Sequence, residues 1–390
     1  TMPDGQTMWL IAQYDAALAV LRDFQRFGND PENAMTPAAY EALMADALRD
    51  LTPEQRAQFV DIDAVFSRNL LGVDPPDHIR LRKLVAQSFT PRFIEGLRPR
   101  VQQIADDLLD AIEARAEASG RREVELIDAF AFPLPITVIS EMLGVPLEDR
   151  DRFRVWSNEV VKFDPTEPID PERMRPLREF NDYLHTFVAR KRDEPGDDLV
   201  SGLIAAEEAG DTLSEIELIA MILLLIVAGH ETTVNLIGNG MLALFEHPSQ
   251  MRALMTDPAL VKSAVEEFLR YTGPVEMSLT RFAREDVEID GQTIRRGDQV
   301  TVLLASADRD PAQFPEPERF DLGREPGRHL AFGMGIHACL GAPLARLEGQ
   351  IAFTTLLARL PAIRLAAARD TLEWRPGSLL RGLVRLPVAF

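Results

Sequence analysis

Cysteine is nearly absent from this chain of 390 residues, in which Cys339 is the single thiol. One thiol cannot form an internal disulfide, and it cannot alone provide the ligands of a tetrahedral zinc site. The chain also lacks an apolar run long enough to span a bilayer, which takes about 20 residues. Its longest run, 218–229, ends at a His-Glu pair. We therefore expect a buried helix there and no membrane anchor.

Positive charge is scarce as well, because 42 Lys and Arg against 62 Asp and Glu leave a net charge of -20. Nucleic-acid phosphates and anionic lipids both require a basic surface, so this balance argues against either as a partner. No secretory signal pattern is visible at the N-terminus. We expect a soluble, cytoplasmic protein.

Helical periodicity dominates the chain, for example over 101–118 and 134–143. Ser214 with Glu217 matches a capping box, and the apolar pattern that follows continues to about residue 245, so a long helix must cross the core. Strand signals are few: 8–12, 300–304, and a hairpin around an Asp-Gly turn at 290–291. We predict a mainly α fold with small β-sheets in one domain, 1–390.

The thiol lies in the segment Phe332-Gly-Met-Gly335-Ile-His337-Ala-Cys339-Leu-Gly341. The glycines permit close backbone approach, as a flat macrocycle needs, and positive φ. A lone thiolate can bind one axial position of a haem iron, act as a nucleophile, or lie inert in a core.

The pattern F-x-x-G-x-x-x-C-x-G resembles the haem-binding signature of the cytochrome P-450 family, in particular its soluble bacterial members. Further motifs of that family recur in order from about residue 8 to the C-terminus. The resemblance implies the P-450 fold, with haem b between a long central helix and the Cys-bearing loop, and Cys339 as its axial thiolate. It implies haem contacts for Phe332, Gly335, His337 and Gly341. It also makes the polar segment 164–176 a mobile lid.

The long helix carries Ala228-Gly-His-Glu231-Thr232-Thr, which resembles the family motif A-G-x-[D/E]-T-T. Oxygen activation at haem requires protons, so the resemblance assigns proton relay to Glu231 and oxygen positioning to Thr232. Thr232 can also bond to the carbonyl four residues earlier, and Ala228 leaves space for the cofactor. A packed threonine and an exposed glutamate are the alternative interpretation.

Four basic side chains match the family's partners for the haem propionates. His78 and Arg82 stand at i and i+4 after a Pro-Pro-Asp helix start, and Arg281 and His329 occupy the other two family positions. For the first pair, a solvated basic helix is the alternative.

Glu267 and Arg270 match the family's E-x-x-R, and the resemblance adds Arg319 as the third member of a buried triad that supports the haem loop. On this basis we predict that Glu267→Ala prevents haem incorporation.

No flavin or nicotinamide fingerprint occurs, so we expect electrons from a separate ferredoxin and ferredoxin reductase. Arg80, Lys83, Arg92 and Arg346 are candidate docking cations. We expect a lipophilic small-molecule substrate, because the candidate pocket residues are apolar, although core packing explains them equally well. These candidates are Phe66, Leu70, Leu71, Val161, Leu224, Val227, Val275, Met277 and Leu380.

The favoured function is a haem-thiolate monooxygenase that inserts one oxygen atom from O2 into a C–H or C=C bond. The alternatives are a peroxide-driven haem-thiolate peroxygenase, a non-catalytic haem sensor, and a cysteine-nucleophile hydrolase that uses His337.

Overall fold

The computed structural model describes residues 8–49, 51–162, 171–208, 213–325, 327–377 and 379–390. These residues form 15 α-helices and nine β-strands, in agreement with the predicted mainly α fold. The helices are α1 Tyr14–Arg22, α2 Pro37–Ala47, α3 Pro53–Ser67, α4 Asp77–Ala86, α5 Pro91–Gly96, α6 Arg98–Ser119, α7 Pro133–Leu143, α8 Arg150–Lys162, α9 Pro171–Asp193, α10 Leu199–Glu208, α11 Glu215–Glu246, α12 Pro248–Thr256, α13 Val261–Thr272, α14 Leu304–Ala307 and α15 Ala342–Arg359. The strands are β1 Met8–Ile11, β2 Phe27–Gly28, β3 Glu123–Glu125, β4 Arg281–Ala283, β5 Val287–Ile289, β6 Gln292–Ile294, β7 Gln299–Val302, β8 Arg364–Leu365 and β9 Pro387–Ala389.

Helix α11 crosses the core, as predicted. The Ser214 hydroxyl accepts the Glu217 N–H (3.3 Å) while the Glu217 carboxylate accepts the Ser214 N–H (2.8 Å), so the capping box is confirmed. The helix has the length and hydropathy of a membrane span, but it is mostly buried against other elements, including α7, α13 and α15. It is therefore a core helix of this fold.

Two small sheets and a hairpin flank the helices. The four-stranded sheet has the order β1-β7-β4-β2, with β1 parallel to β7, and the three-stranded sheet has the order β3-β9-β8. The predicted β5–β6 hairpin is confirmed, because Asp290 and Gly291 both have the positive φ of its two-residue turn. Strand β7 ends at Val302 and Leu304 begins α14, so the predicted strand 300–304 was two residues too long.

The predicted lid 164–176 is only partly tested. Residues 163–170 lie outside the described residues. Helix α9 already begins at Pro171 and contains Pro176, so the C-terminal part of the proposed lid is helix, and the prediction was wrong there. A proline in the first turn is compatible with a helix, and that is where Pro171 stands.

Candidate active site

Cys339 lies in a compact turn that its own backbone closes, since the Cys339 N–H donates to the carbonyl of Phe332 (2.8 Å). Gly333 and Gly335 have φ of 63° and 76°, a conformation that favours glycine. A Cβ on Gly335 would lie 2.5 Å from the Leu21 carbonyl oxygen, so this glycine also lets the loop pack against α1.

The side chain of Cys339 is accessible, so it is not an inert core thiol. The surrounding protein still desolvates the sulfur and raises the pKa of the thiol. The backbone N–H groups of Gly341 and Ala342 and the cations Arg82 and Arg346 oppose that rise. Hydrogen-bond donors and positive charge therefore converge on one sulfur atom, an arrangement that suits a metal-bound thiolate.

Arg82 holds the loop from α4, because its two terminal nitrogens donate to the carbonyls of Ile336 (2.9 Å) and Ala338 (2.7 Å). Burial lowers the pKa of Arg82, and the neighbouring Cys339 acts against that shift. The i,i+4 placement of His78 and Arg82 on one helix is confirmed. The contact of Arg82 with a haem carboxylate stays a prediction.

His78 is buried, and neither ring nitrogen has a hydrogen-bond partner among the described residues. Its ring packs edge-on against that of His337 at a centroid distance of 4.4 Å. Burial lowers the pKa of His78, and lowers that of His337 to about 4. Buried polar groups normally have partners, so the free nitrogens of His78 fit an additional polar group such as a haem carboxylate.

Arg281 is a second buried group that fits an acidic cofactor. Its guanidinium donates to the carbonyls of Val20 (3.0 Å) and Leu21 (3.3 Å), and no described carboxylate forms a salt bridge with it. Burial lowers the pKa of Arg281 to about 10. A buried cation normally has an anionic partner, which a propionate would supply.

His329 already has a partner in this structure. Its Nδ1 accepts the Ala331 N–H (3.3 Å), so its Nε2 carries the proton and donates to Glu266 (3.0 Å). Glu266 also accepts two bonds from Arg346 (2.7 and 2.8 Å). Burial would raise the pKa of Glu266, but Arg346 and His329 outweigh it and lower the value to about 2.

The middle of α11 has one open face. Ala228 is exposed, and Leu224 and Thr232, one turn to either side, are half-buried in a helix that is otherwise mostly buried. This strip fits a flat ligand lying against the helix. Gly229 serves a different purpose, because a Cβ there would lie 2.8 Å from Ile139 of α7.

The Thr232 hydroxyl donates to the Ala228 carbonyl (3.0 Å), which confirms the predicted bond to the residue four positions earlier. Glu231 is buried, so the alternative of an exposed glutamate is wrong. It accepts from Arg375 Nη1 (2.5 Å) and lies 3.5 Å from His230 Nε2. Burial would raise the pKa of Glu231, but His230 and Arg375 lower it to about 2.

Sequence reasoning missed three residues around this segment. Arg375 and its second partner, Asn158 of α8, are 144 and 73 positions from Glu231 and match no motif. Glu348 of α15 is fully buried, and neither carboxyl oxygen makes a hydrogen bond of standard geometry within the described residues. Burial raises the pKa of Glu348 to about 8, and the Thr233 hydroxyl offsets only part of that rise.

The predicted pair Glu267 and Arg270 is confirmed as a buried, two-bond contact (2.7 and 2.8 Å). The third member is Arg324, whose Nε lies 3.3 Å from Glu267 Oε2. Arg270 also donates to the carbonyls of Asp308 (3.2 Å) and Pro317 (2.8 Å), and so ties α13 to the chain that leads to the cysteine loop.

The assignment of Arg319 to this cluster was wrong. Its exposed side chain pairs with Glu316 (3.0 Å) and Asp321 (3.2 Å). Only its carbonyl takes part in the cluster, accepting from Arg270 (3.3 Å) and Arg324 (2.8 Å). The side chain of Arg319 points away from the carboxylate that its backbone helps to enclose.

The structure does not gather the pocket candidates into one cluster. Leu70 and Val227 are buried in the main core, and Phe66, Val161 and Leu224 pack against it. Val275 packs against the second core cluster, and its backbone forms a β-bridge with Leu380. Leu71 and Met277 are half-buried. Their role as a pocket stays a prediction.

The four candidate docking cations differ in their surroundings. Arg80 donates to Glu217 (2.5 Å) and Asp77 (2.8 Å), and Arg346 is bound by Glu266, so acidic partners offset both charges. Lys83 and Arg92 are exposed.

Comparison with known proteins places this geometry in context. A sequence model of the family described as Cytochrome P450 matches residues 33–363. "Polyketide biosynthesis cytochrome P450 PksS" of Bacillus subtilis is 46% identical over 98% of this chain and 88% of its own length. "Cytochrome P450 monooxygenase PikC" of Streptomyces venezuelae is 46% identical over 99% of this chain and 86% of its own. The structure of the myxobacterial cytochrome P450 CYP267B1 in complex with myristic acid matches with a TM-score of 0.85 and 44% identity, over 99% of this chain and 90% of that one.

Proposed function

Because the chain belongs to the cytochrome P450 family of oxidoreductases, we propose that it inserts one oxygen atom from O2 into a C–H or C=C bond of a lipophilic small molecule. We propose further that residues 1–390 form one haem domain, that the protein is cytoplasmic, and that a ferredoxin and its reductase supply the electrons. Within this proposal, the exposed Lys83 and Arg92 are the preferred docking cations, because acidic partners already bind Arg80 and Arg346.

Haem b is the cofactor of this proposal, and when bound it supplies the reductive activation of dioxygen. The observation that carries the assignment is the accessible Cys339 sulfur, toward which the Gly341 and Ala342 N–H groups and Arg82 direct positive charge. His78 and Arg281 would hold the propionates. The buried ring nitrogens of His78 have no hydrogen-bond partner among the described residues, and the buried guanidinium of Arg281 donates to backbone carbonyls rather than to a carboxylate. Phe332, Gly335 and His337 lie along the same loop.

Thr232 and Glu231 divide the work on the α11 side. The Thr232 hydroxyl, fixed on the Ala228 carbonyl, holds a hydrogen bond at the open face of the helix. This pair favours O2 over peroxide as the oxidant, since a peroxide-driven reaction needs no proton relay such as the one that we propose for Glu231.

The substrate class follows from the relatives together with the apolar candidates. One relative is named for polyketide biosynthesis, and one structural neighbour holds myristic acid. We therefore propose a substrate with an extended or macrocyclic aliphatic skeleton, of the polyketide or fatty-acyl type, bound beside the Leu224–Ala228–Thr232 strip.

An absorption spectrum of the reduced, carbon monoxide-treated protein tests the cofactor. We expect the Soret band of a thiolate-ligated haem in the wild type and its loss in Cys339→Ser. A colourless protein that takes up no hemin, or an unaltered spectrum in the variant, overturns the assignment. Turnover with peroxide but none with O2 and a ferredoxin system overturns the choice of oxidant.

A further inference from the structure

The C-terminal hairpin, defined here as 373–377 with 379–384, is fixed against α11. The Arg375 N–H donates to the Gly382 carbonyl (2.8 Å), which pairs the two halves of the hairpin. A Cβ on Gly382 would lie 2.0 Å from Asn235 Oδ1, so the hairpin backbone packs directly on the helix. Asn239 of α11 also donates to a carbonyl of the hairpin (3.0 Å). The base of the Arg375 side chain is therefore held one to two turns from Glu231.

The guanidinium of Arg375 then forms hydrogen bonds to two helices. Its Nη1 donates to the buried Glu231 carboxylate (2.5 Å), and its Nη2 donates to Asn158 Oδ1 of α8. Val161, a candidate pocket residue, follows Asn158 by about one helical turn. One rigid, planar group thus connects the core helix, the C-terminal hairpin and the helix beside the predicted pocket.

This contact decides what Glu231 can do. The groups that act on the charge of Glu231 are His230 from α11 and Arg375 from the hairpin, while α8 contributes only the neutral amide of Asn158. His230 Nδ1 donates to the Ile226 carbonyl (2.6 Å), so the orientation of its ring is fixed. A carboxylate held by a guanidinium keeps its negative charge and is a poor proton carrier. Without Arg375, His230 alone would oppose burial, so the protonated form would become more favourable.

We propose that Arg375 is a positioning residue that couples the placement of α8 to the availability of Glu231 as a proton carrier. Asn158 fixes the plane of the guanidinium, so Nη1 stays on Glu231 while α8 is seated. Displacement of α8 removes that restraint and frees the carboxylate to take up a proton. The proposal rests on the relay function proposed above for Glu231, but the contact itself can be tested without turnover.

Infrared difference spectra provide that test, with each protein compared with its own Glu231→Gln counterpart across pH. We expect the protonation midpoint of Glu231 to rise by about 1 pH unit or more in Arg375→Gln, because one of the two groups that oppose burial is then lost. Asn158→Ala should shift it in the same direction by a smaller amount. Arg375→Lys keeps the positive charge but loses the planar guanidinium that binds two acceptors at once. Its Glu231 midpoint should therefore lie between those of Arg375→Gln and the wild type.

Arg369→Gln is the matched control. It breaks a similar ion pair between the C-terminal region and α11, but at Glu246 in the last turn of the helix. We expect no shift of the Glu231 midpoint in this variant. An unshifted midpoint in Arg375→Gln, or a wild-type midpoint in Asn158→Ala, overturns the proposal. If Arg375→Gln does not fold, Arg375→Lys and Asn158→Ala decide it by the same criteria.

Turnover separates this inference from the proposed function. With a normal carbon monoxide spectrum in every variant, the pH optimum of coupled oxygen use should move upward in Arg375→Gln and not in Arg369→Gln. A shifted infrared midpoint with an unchanged pH profile keeps the Arg375 contact but removes the relay role of Glu231. An altered carbon monoxide spectrum instead points to the haem assignment.

Discussion

In the cluster around Glu267, a buried carboxylate receives four hydrogen-bonding nitrogens from two arginines and one backbone N–H, that of Asp321. Around the middle of α11, by contrast, two buried glutamates, Glu231 of α11 and Glu348 of α15, differ in their hydrogen-bond partners. Glu231 has an arginine, whereas Glu348 has no hydrogen bond of standard geometry within the described residues. The same side chain thus has a lowered pKa at Glu231 and a raised pKa at Glu348.

The difference teaches what each region does. A buried carboxylate whose hydrogen bonds are all satisfied holds elements together, as the Glu267 cluster holds α13 to the chain before the cysteine loop. A buried acid with few partners has a pKa set by burial, so its protonation responds to small changes nearby. The mid-α11 region is therefore suited to proton chemistry.

The sharpest way to break this comparison is Glu267→Ala, which leaves the buried Arg270 and the half-buried Arg324 without their carboxylate. We expect a loss of about 3–5 kcal/mol in the free energy of unfolding, together with failure of haem incorporation. Urea denaturation and the haem content of the purified protein measure both effects. Glu316→Ala, which removes a surface partner of Arg319, is the control and should cost less than about 1 kcal/mol. Normal haem content in Glu267→Ala would refute the structural role.

Glu348→Gln should increase the free energy of unfolding at high pH, whereas Glu267→Ala lowers it. The folded-state pKa of Glu348 is raised to about 8 from 4.5, so the unfolded chain loses this proton first as the pH rises. The wild type therefore loses stability between about pH 4.5 and pH 8, and the variant does not. At pH 8 we expect the variant to be more stable by a few kcal/mol, as one pKa unit corresponds to about 1.4 kcal/mol. Equal slopes of unfolding free energy against pH in the two proteins would contradict this.

Glu231→Gln should change stability in acid rather than in base. The pKa of Glu231 is lowered to about 2 from 4.5, so its contribution is present above pH 4.5 and is lost as the pH falls toward 2. The free energy of unfolding, measured between pH 6 and the lowest pH at which the protein stays folded, should fall more steeply with decreasing pH in the wild type than in the variant. We expect the two slopes to differ by about 1–3 kcal/mol over this pH range. Parallel curves would mean that Arg375 and His230 do not hold the ionised form.

The smallest effect separates two arginines of the same segment. Arg324→Ala removes a contact to Glu267 and should cost about 1–2 kcal/mol, since hydrogen bonds to charged groups are worth more than neutral ones. Arg319→Ala should cost less than about 0.5 kcal/mol, because its side chain is exposed and its carbonyl remains. Thermal unfolding of the two variants measures the difference. A larger loss of unfolding free energy in Arg319→Ala than in Arg324→Ala would show that the Arg319 side chain belongs to the buried cluster.

Sequence patterns predicted the parts of the site that depend on near neighbours. The capping box at Ser214, the bond from Thr232 to Ala228 and the Glu267–Arg270 pair all join residues within four positions on a helix. Helix geometry alone brings such residues together. The third arginine was misassigned because Arg319 and Arg324 lie five residues apart in an irregular segment, where no period tells which side chain turns inward.

The sequence by itself determined the family, the cysteine loop with its glycines, and the long helix that carries Ala228, Glu231 and Thr232, since contiguous motifs and helical periodicity encode these locally. Only the tertiary structure decided which distant groups act on them. Arg375 meets Glu231 because the C-terminal hairpin packs on α11, and the pKa of Glu348 is raised because the packing of α15 buries this carboxyl group. Burial and long-range pairing set the charge of a carboxyl group, and neither is written in the order of neighbouring residues.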